Sequence, residues 1–377
     1  MIKILLVILC VIAVAIVAVV LFLQTPSFGR LPRGERLERI KRSPNFRDGE
    51  FRNMEPTVLM TSEKGKWGAM LDFVFKKSPE GLRPEHPVPS VKTDLRALDP
   101  DRELLVWFGD CYYLFQMGGK RILVDPVFCG AAPVSFLNKS FPGTDIYRPE
   151  DMPDIDCLVI THDHWDHLDY GTVTRLKGRV RKVVCPLGVG EHFEYWGYEP
   201  ERLVELDWNE TATLGGGVTV HCLPARHFSG RGLRSNRTLW ASFLVEAAGR
   251  KVYIGGDGGY GAHYADIGKR FPGIDLAVLE NGQYNVDWRY IHTLPKYQHA
   301  EAEALGARRV LTVHHSKYAL ARHRWDEPLE NVRKLAEDSS LEVLCPMIGE
   351  VVFLMIRRPP RSTLILTLFP YTTLFRS

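Results

Sequence analysis

The sequence predicts an α/β sandwich that follows an N-terminal membrane-spanning helix. Short apolar runs typical of buried strands alternate with helix-like segments from residue 104 onward. Polar residues follow several of these runs, and the densest polar group comes directly after residues 157–160. A third observation is the unbroken apolar run at residues 4–23. Strands whose short loops meet at one edge, alternating with helices, favour a sandwich over a wound parallel sheet.

Composition indicates a globular protein with a large core and no nucleic-acid-binding surface. The chain has 377 residues, of which 45% are hydrophobic and 25% charged. The formal net charge is +3, but four arginines lie after residue 354 with no acid beside them, so the rest has no basic excess. The seven cysteines are scattered without a CxxC spacing, which indicates buried reduced thiols.

The apolar run at 4–23 predicts a single-pass anchor. At about 1.5 Å per residue, a helix of this length spans roughly the hydrocarbon thickness of a bilayer. A cleaved signal peptide is the alternative, although no small-residue cleavage site precedes Pro26. More basic residues follow the run than precede it, so the positive-inside rule places the catalytic domain on the cytoplasmic side of the membrane.

Four segments follow from these patterns. Residues 1–24 form the transmembrane anchor, and residues 25–100, rich in Pro, Arg and Lys, form an arm that packs on the domain. Residues 101–353 form the catalytic domain. Residues 355–377 resemble a translated sequencing adapter and are excluded from fold reasoning.

Within the domain, strands and helices are predicted from apolar runs, glycine turns and helical spacing. A hairpin turns at Gly118 and Gly119. Helices are expected at 170–177, 191–198 and 295–305. The predicted strands are 104–108, 111–117, 120–124, 157–160, 183–186, 203–208, 218–224, 239–245, 250–254, 276–280, 309–313 and 341–344, with 348–350 closing the domain.

The segment 161–169, THDHWDHLD, carries the predicted chemistry. His162 and His164 alternate and can face one ion, while Asp166 and His167 turn towards a second. Imidazole and carboxylate are the ligands that zinc prefers at an open catalytic site. A second candidate is Asp257, which lies between two pairs of glycines that leave its carboxylate bare. A plain turn is the alternative there, and no phosphate-binding glycine pattern is complete.

The HxHxDH pattern is the signature of the metallo-β-lactamase fold, and THDHWDHLDY resembles the N-acyl-phosphatidylethanolamine-hydrolysing phospholipase D branch and its bacterial relatives. The resemblance covers residues 44–350 and implies an αββα sandwich. It also implies two Zn²⁺ ions, although other divalent transition metals such as iron or manganese can occupy such sites. One departure is Asp110, since the family usually carries His at that position.

The resemblance further implies a role for each site residue. His162, His164 and His227 would hold one metal, and Asp166, His167 and His314 the other, with Asp257 bridging them. Neighbouring His221 and His315 are expected to be packed or bystander residues. His292 resembles a histidine beside the metals, with a surface loop histidine as the alternative. The predicted catalytic residues are therefore Asp166, Asp257 and His292.

Together these features predict a phosphodiesterase in which a metal-bridging hydroxide attacks the phosphorus of a membrane phospholipid of the N-acyl-phosphatidylethanolamine type. His292 would protonate the leaving group. The expected partners are the lipid substrate, the bilayer and, since the arm leaves room for one, a second copy in a homodimer. The alternatives are a lactonase or phosphodiesterase for a small soluble metabolite and a non-catalytic, membrane-tethered binding module.

Overall fold

The structure, a computed structural model, describes residues 2–65, 68, 71, 75–134, 138–338 and 341–354. Two seven-stranded sheets and a short hairpin make up its β structure. The tail at 355–377 lies outside the described residues. The strands are β1 Phe46–Arg47, β2 Glu50–Phe51, β3 Leu104–Trp107, β4 Tyr113–Met117, β5 Lys120–Val124, β6 Ile155–Val159, β7 Val180–Pro186, β8 Leu203–Leu206, β9 Thr211–Gly215, β10 Val218–Leu223, β11 Ser242–Ala247, β12 Arg250–Ile254, β13 Leu276–Glu280, β14 Arg309–Val313, β15 Glu342–Leu344 and β16 Val351–Phe353.

Each large sheet combines antiparallel and parallel pairing. The first has the order β16-β3-β4-β5-β6-β7-β8, and the second has the order β15-β14-β13-β12-β11-β10-β9. Strands β5 to β8 pair in parallel, as do β12 to β15. Because parallel strands share a direction, the loops that follow them meet at one edge of each sheet.

The core lies between the two sheets and continues on the outer face of the first. Along β3, Leu105 and Trp107 belong to the cluster between the sheets, while Leu104 and Val106 belong to the outer cluster. Successive side chains of a strand point to opposite faces. Both faces are therefore buried, which explains why these strands read as continuous apolar runs rather than as alternating patterns.

Helices cover the sheets. Val173 and Phe193 pack into the outer cluster of the first sheet, and Ala302 and Leu329 pack into the cluster that includes the second. The two-sheet α/β architecture predicted from the sequence is confirmed. The helices are α1 Ile2–Leu23, α2 Gly34–Lys41, α3 Tyr170–Leu176, α4 Gly190–Tyr195, α5 His263–Arg270, α6 Gln298–Leu305 and α7 Glu327–Asp338.

Helix α1 is long and apolar enough to cross a membrane, judged by length and composition, and none of its residues is buried in the protein. After it, the arm contacts the domain through buried and charged groups. Ile40 and Phe51 are fully buried. Arg36 lies 2.5 Å from Glu191 and 2.6 Å from Glu205.

Some element boundaries differ from those predicted. The strand expected at 239–245 lies at Ser242–Ala247. It begins later because residues 239–241 lie against the motif loop, where Ala241 N–H donates a hydrogen bond to Thr161 O. Residues 348–350 precede the closing strand β16 rather than forming it. Strand β9 and helices α2, α5 and α7 were not predicted.

Candidate metal centre

The candidate ligands converge because each follows the carboxyl end of a strand. His162 lies three residues after β6, in the loop that ends at α3, whose first turn is capped by Asp169. His227, Asp257 and His314 follow β10, β12 and β14 in the second sheet. The sandwich brings these edges together, so residues far apart in the sequence form one cluster.

Three histidines form the first group. His164 Nδ1 lies 2.9 Å from His162 Nε2 and 3.2 Å from His227 Nε2. The other ring nitrogens of His162 and His227 are anchored, since His162 Nδ1 lies 3.0 Å from Thr161 Oγ1 and His227 Nδ1 lies 2.8 Å from Ile291 O. Burial, together with the neighbouring histidines, holds the pKa of both His162 and His227 well below its usual range. Neutral imidazoles with converging nitrogens are ready metal ligands.

Asp257 connects this group to a second one. Its Oδ1 lies 3.2 Å from His167 Nε2, and its Oδ2 lies 3.4 Å from His314 Nε2 and 3.9 Å from His227 Nε2. The carboxylate is 4% exposed. It therefore faces both sets of histidines, which is the placement expected of a bridging ligand.

The position around His167 favours a positive charge. Burial lowers the pKa of His167, but Asp257, Cys111 and Asp125 outweigh it and hold that pKa well above its usual range. Asp125 Oδ2 lies 2.8 Å from His167 Nδ1 and also accepts a hydrogen bond from the Thr161 hydroxyl. Among the described residues, His167 Nε2 is buried without a hydrogen-bond partner. A divalent cation would supply the missing partner and charge, so the residues present fit a metal.

Asp166 and His314 complete the predicted set. The half-buried Asp166 carboxylate lies with Asp110 and His314. His314 has a φ of +67°, in the left-handed region that a non-glycine residue rarely adopts. Its backbone N–H donates to Asp110 O at 3.0 Å, which helps to hold that conformation. Such strain is often found where a functional side chain must be aimed.

His292 lies beside the cluster. Its ring is parallel to that of His314, with centroids 5.5 Å apart, and its Nδ1 lies 3.0 Å from Glu280 Oε2 and 4.0 Å from Asp257 Oδ2. Burial lowers the pKa of His292, but the charge and hydrogen bond of Glu280 outweigh it and raise that pKa to about 9. Neither His221 nor His315 belongs to the groups of candidate ligands found among the described residues.

Sequence reasoning missed three residues of the centre. Asp125 follows β5, which pairs in parallel with β6, so its carboxylate reaches the motif loop. Glu280 ends β13 and accepts hydrogen bonds from His292 and the Thr293 backbone. Cys111 directly follows Asp110 in the sequence, and its sulfur is grouped with His167, Asp257 and His314. Asp125 and Glu280 both stand at the end of a predicted strand, and this position in the sequence could have identified them.

The two-layer fold and its clustered imidazoles and carboxylates define a metal-dependent hydrolase. Residues 120–315 match the family model described as Beta-lactamase superfamily domain. The chain belongs to the metallo-β-lactamase superfamily, which confirms the family indicated by the motif.

Relatives and solved structures agree with this assignment. An uncharacterized protein of Mycobacterium tuberculosis is 36% identical over 320 residues, which cover 83% of this chain and 85% of that protein. N-acyl-phosphatidylethanolamine-hydrolyzing phospholipase D 1 of Caenorhabditis elegans is 30% identical over 249 residues, covering 61% of this chain and 69% of that protein. A metallo hydrolase from the archaeon Ignicoccus hospitalis superposes with a TM-score of 0.51 at 21% identity, covering 68% of this chain and 99% of that one, and shows the shared fold.

Proposed function

We propose that this protein is a dinuclear-metal phosphodiesterase that hydrolyses membrane phospholipids of the N-acyl-phosphatidylethanolamine type. The observation that carries the reaction type is the Asp257 carboxylate between two groups of histidines. The substrate class is supported by the similarity to the C. elegans phospholipase D. The reaction adds water to the phosphodiester, breaks the bond between phosphorus and the ethanolamine oxygen, and gives phosphatidic acid and an N-acylethanolamine.

The ligands fall into two sets. His162, His164 and His227 would hold one zinc ion, and Asp166, His167 and His314 the other, with Asp257 between them. Bound divalent ions lower the pKa of a coordinated water to near neutrality and offset charge on phosphoryl oxygens.

The protein's own contribution to proton transfer is His292. Glu280 accepts the hydrogen bond of His292 Nδ1–H, which fixes the ring and leaves Nε2 to carry the proton that the departing alkoxide takes up. His292 is close to Asp257 without belonging to the three-histidine group. His292 also belongs to a group of possible ligand atoms with Asp257, Glu280 and His314, and we assign it the role of proton donor because its Nδ1 is bonded to Glu280.

A lipid substrate also agrees with the contacts between α1 and the domain. Phe28, just after α1, packs edge-to-face on Trp165 of the motif loop, with ring centroids 4.9 Å apart. A cavity of about 240 Å³ beside them is lined by Leu23 and Arg231, among others. We propose that residues 1–24 anchor the protein in a bilayer, with the arm at 25–100 and the catalytic domain at 101–353 on the cytoplasmic side.

The test uses the full chain, loaded with zinc and reconstituted with vesicles that contain N-acyl-phosphatidylethanolamine. Phosphatidic acid and N-acylethanolamine should form in equal amounts. Asp257→Asn should abolish both products, while Asp266→Asn, the same change at an exposed position of α5, should leave turnover unchanged.

A protein that holds two zinc ions and releases no phosphatidic acid would refute the proposed substrate. Hydrolysis of a small soluble lactone or phosphodiester by the same preparation would then identify the alternative function.

A further inference from the structure

We propose that the thiolate of Cys111 is a further ligand of the metal assigned above to Asp166, His167 and His314 with Asp257, and that this sulfur makes the position selective for a thiophilic ion such as zinc. The inference deepens the proposed function and rests on its dinuclear centre. The proposed ligand lies outside the HxHxDH motif and outside the loops that hold the other candidate ligands.

The position of Cys111 carries the proposal. It lies in the short connection between β3 and β4, with 3% of its surface exposed. Its Sγ is 2.9 Å from His314 Nδ1 and 3.6 Å from Asp257 Oδ1. Potential ligand atoms of Cys111, His167, Asp257 and His314 all lie within 4.8 Å of one another, and all four residues are buried.

These distances are close to the separations expected between pairs of ligands that share one zinc ion at near-tetrahedral angles. With Zn–S of about 2.3 Å and Zn–N and Zn–O of about 2.0 Å, tetrahedral geometry gives S···O and N···O separations of about 3.5 and 3.3 Å. The separation of Cys111 Sγ and Asp257 Oδ1 is 3.6 Å, and that of His167 Nε2 and Asp257 Oδ1 is 3.2 Å. The separation of Cys111 Sγ and His314 Nδ1 is shorter, at 2.9 Å. These two atoms would therefore move apart by roughly half an ångström when the ion binds.

Unpartnered buried atoms around the sulfur provide independent support. His167 Nε2 is buried and has no hydrogen-bond partner in the described part of the chain, and the same is true of both carboxylate oxygens of Asp110. Asp110 Oδ1 lies 3.5 Å from His314 Nδ1. Leaving buried polar atoms unpaired destabilises a folded protein. A cation at this position would interact with these atoms.

Without an ion, Cys111 is a neutral thiol. Burial, together with the charges of Asp257 and Asp110, raises the pKa of Cys111 well above its usual value, against the lowering effect of His167. A divalent ion reverses this balance, because it favours the thiolate and displaces its proton to solvent. One Zn–S bond then replaces one S–H bond, and no oxidant or reductant is needed.

The other cysteines do not share this environment. Cys157 and Cys222 are buried among the apolar side chains of the core. Cys129 is exposed. Among the described residues, Cys111 is the one cysteine that belongs to a group of candidate metal ligands. Since thiolates favour zinc over manganese or magnesium, the sulfur would select the ion at this position.

The experiment follows the sulfur spectroscopically in the full chain. The protein is stripped with a chelator and reloaded with two equivalents of Co²⁺. A near-ultraviolet thiolate-to-cobalt charge-transfer band should appear in the wild type and disappear in Cys111→Ser, whose visible cobalt bands remain. Cys129→Ser is the matched control for adventitious binding at an exposed thiol, and it should keep the band.

Two further measurements do not depend on lipid turnover, and the first of them, made on the wild type, does not depend on the folding of the variant either. X-ray absorption of the zinc-loaded wild type should show one sulfur neighbour for every two zinc ions, at about 2.3 Å. Competition with a chelating dye should show one of the two zinc ions bound roughly tenfold or more weakly in Cys111→Ser. Absence of sulfur scattering, or a charge-transfer band that persists in Cys111→Ser, would overturn the proposal. A sulfur-bound zinc in a protein that does not cleave the lipid would instead leave it standing and refute only the substrate.

Discussion

Replacement of Arg231 by methionine should destabilise the protein and loosen the metal-binding loop. Arg231 is 4% exposed, and its guanidinium group donates four hydrogen bonds to three backbone carbonyl groups. Two belong to the motif loop, at Asp163 (2.9 Å) and Leu168 (2.5 Å). The third is Ser27 O, at 2.8 Å, in the segment that follows α1. Arg231 therefore joins the end of the proposed anchor to the loop that carries His162, His164 and His167.

The magnitude follows from two opposing contributions. Counted once for each of the three carbonyl groups that accept from this charged donor, the hydrogen bonds contribute about 2 kcal/mol each, or roughly 6 kcal/mol together. Against this, burial lowers the pKa of Arg231 from its usual value to about 10, partly offset by nearby aspartates, which corresponds to a cost of roughly 3 kcal/mol. Methionine removes both contributions, so Arg231→Met should lower the free energy of unfolding by about 3 kcal/mol.

The assay is denaturant unfolding of the full chain, free of metal, with zinc affinity measured separately. Arg234→Met is the matched control, since Arg234 lies in the same loop and is exposed, and its effect should stay within about 0.5 kcal/mol. Equal stability of the two variants would refute the reasoning. A loss of stability in Arg231→Met without any loss of zinc affinity would show that Arg231 supports the fold but does not position the ligands.

Two further predictions concern His292 and Lys317. His292→Ala should reduce lipid turnover by about 100-fold or more and leave the zinc content unchanged. The control His299→Ala, at an exposed position, should have no effect. Loss of zinc from His292→Ala would contradict the proton-donor role. Burial, against the charges of Asp145 and Asp110, lowers the pKa of Lys317 from 10.5 to about 8. The unfolded chain keeps this proton up to about pH 10.5, so between about pH 8 and 10.5 the unfolded state binds more protons and stability rises with pH by roughly 3 kcal/mol. Lys317→Met should lack this pH-dependent contribution. A difference in the free energy of unfolding between Lys317→Met and the wild type that stays constant over that pH range would exclude it.

The predicted fold is confirmed, and the candidate ligands, assigned by their position after apolar runs and by the family resemblance, lie close together in the structure. His162 and Asp257 stand at the ends of strands that their composition reveals. Helix α7 was missed although Leu329, Val332 and Leu335 have helical spacing and are buried. The shifted boundary of β11 has a different cause, since strands buried on both faces lose the alternation that marks where they begin.

The residues that contact the candidate ligands are set by which strands are neighbours in the sheets. Local sequence does not specify the order of the strands. Asp125 reaches His167 because β5 pairs with β6 in a register that places Val124 opposite Val159. Cys111 reaches His314 only through the packing of one sheet on the other. Contacts of this kind join residues separated by tens or hundreds of positions, so periodicity and propensity can mark the end of a strand but not the residue that it contacts.

The segment between α1 and the domain gives the proposed anchor a structural relation to the site. Trp196 Nε1–H donates to Pro26 O at 2.8 Å, and Arg30 N–H donates to His192 Nδ1 at 3.0 Å. His192 Nε2 in turn lies 3.1 Å from the carboxylate of Asp163, between the first two histidines of the motif. A freely hinged tether would let the site take any orientation to the bilayer. These contacts instead hold residues 26–30, which directly follow α1, against the domain, so that under the proposed anchoring a bilayer around α1 would meet the site from one side. This arrangement favours a substrate presented by the membrane surface over one that arrives from solution.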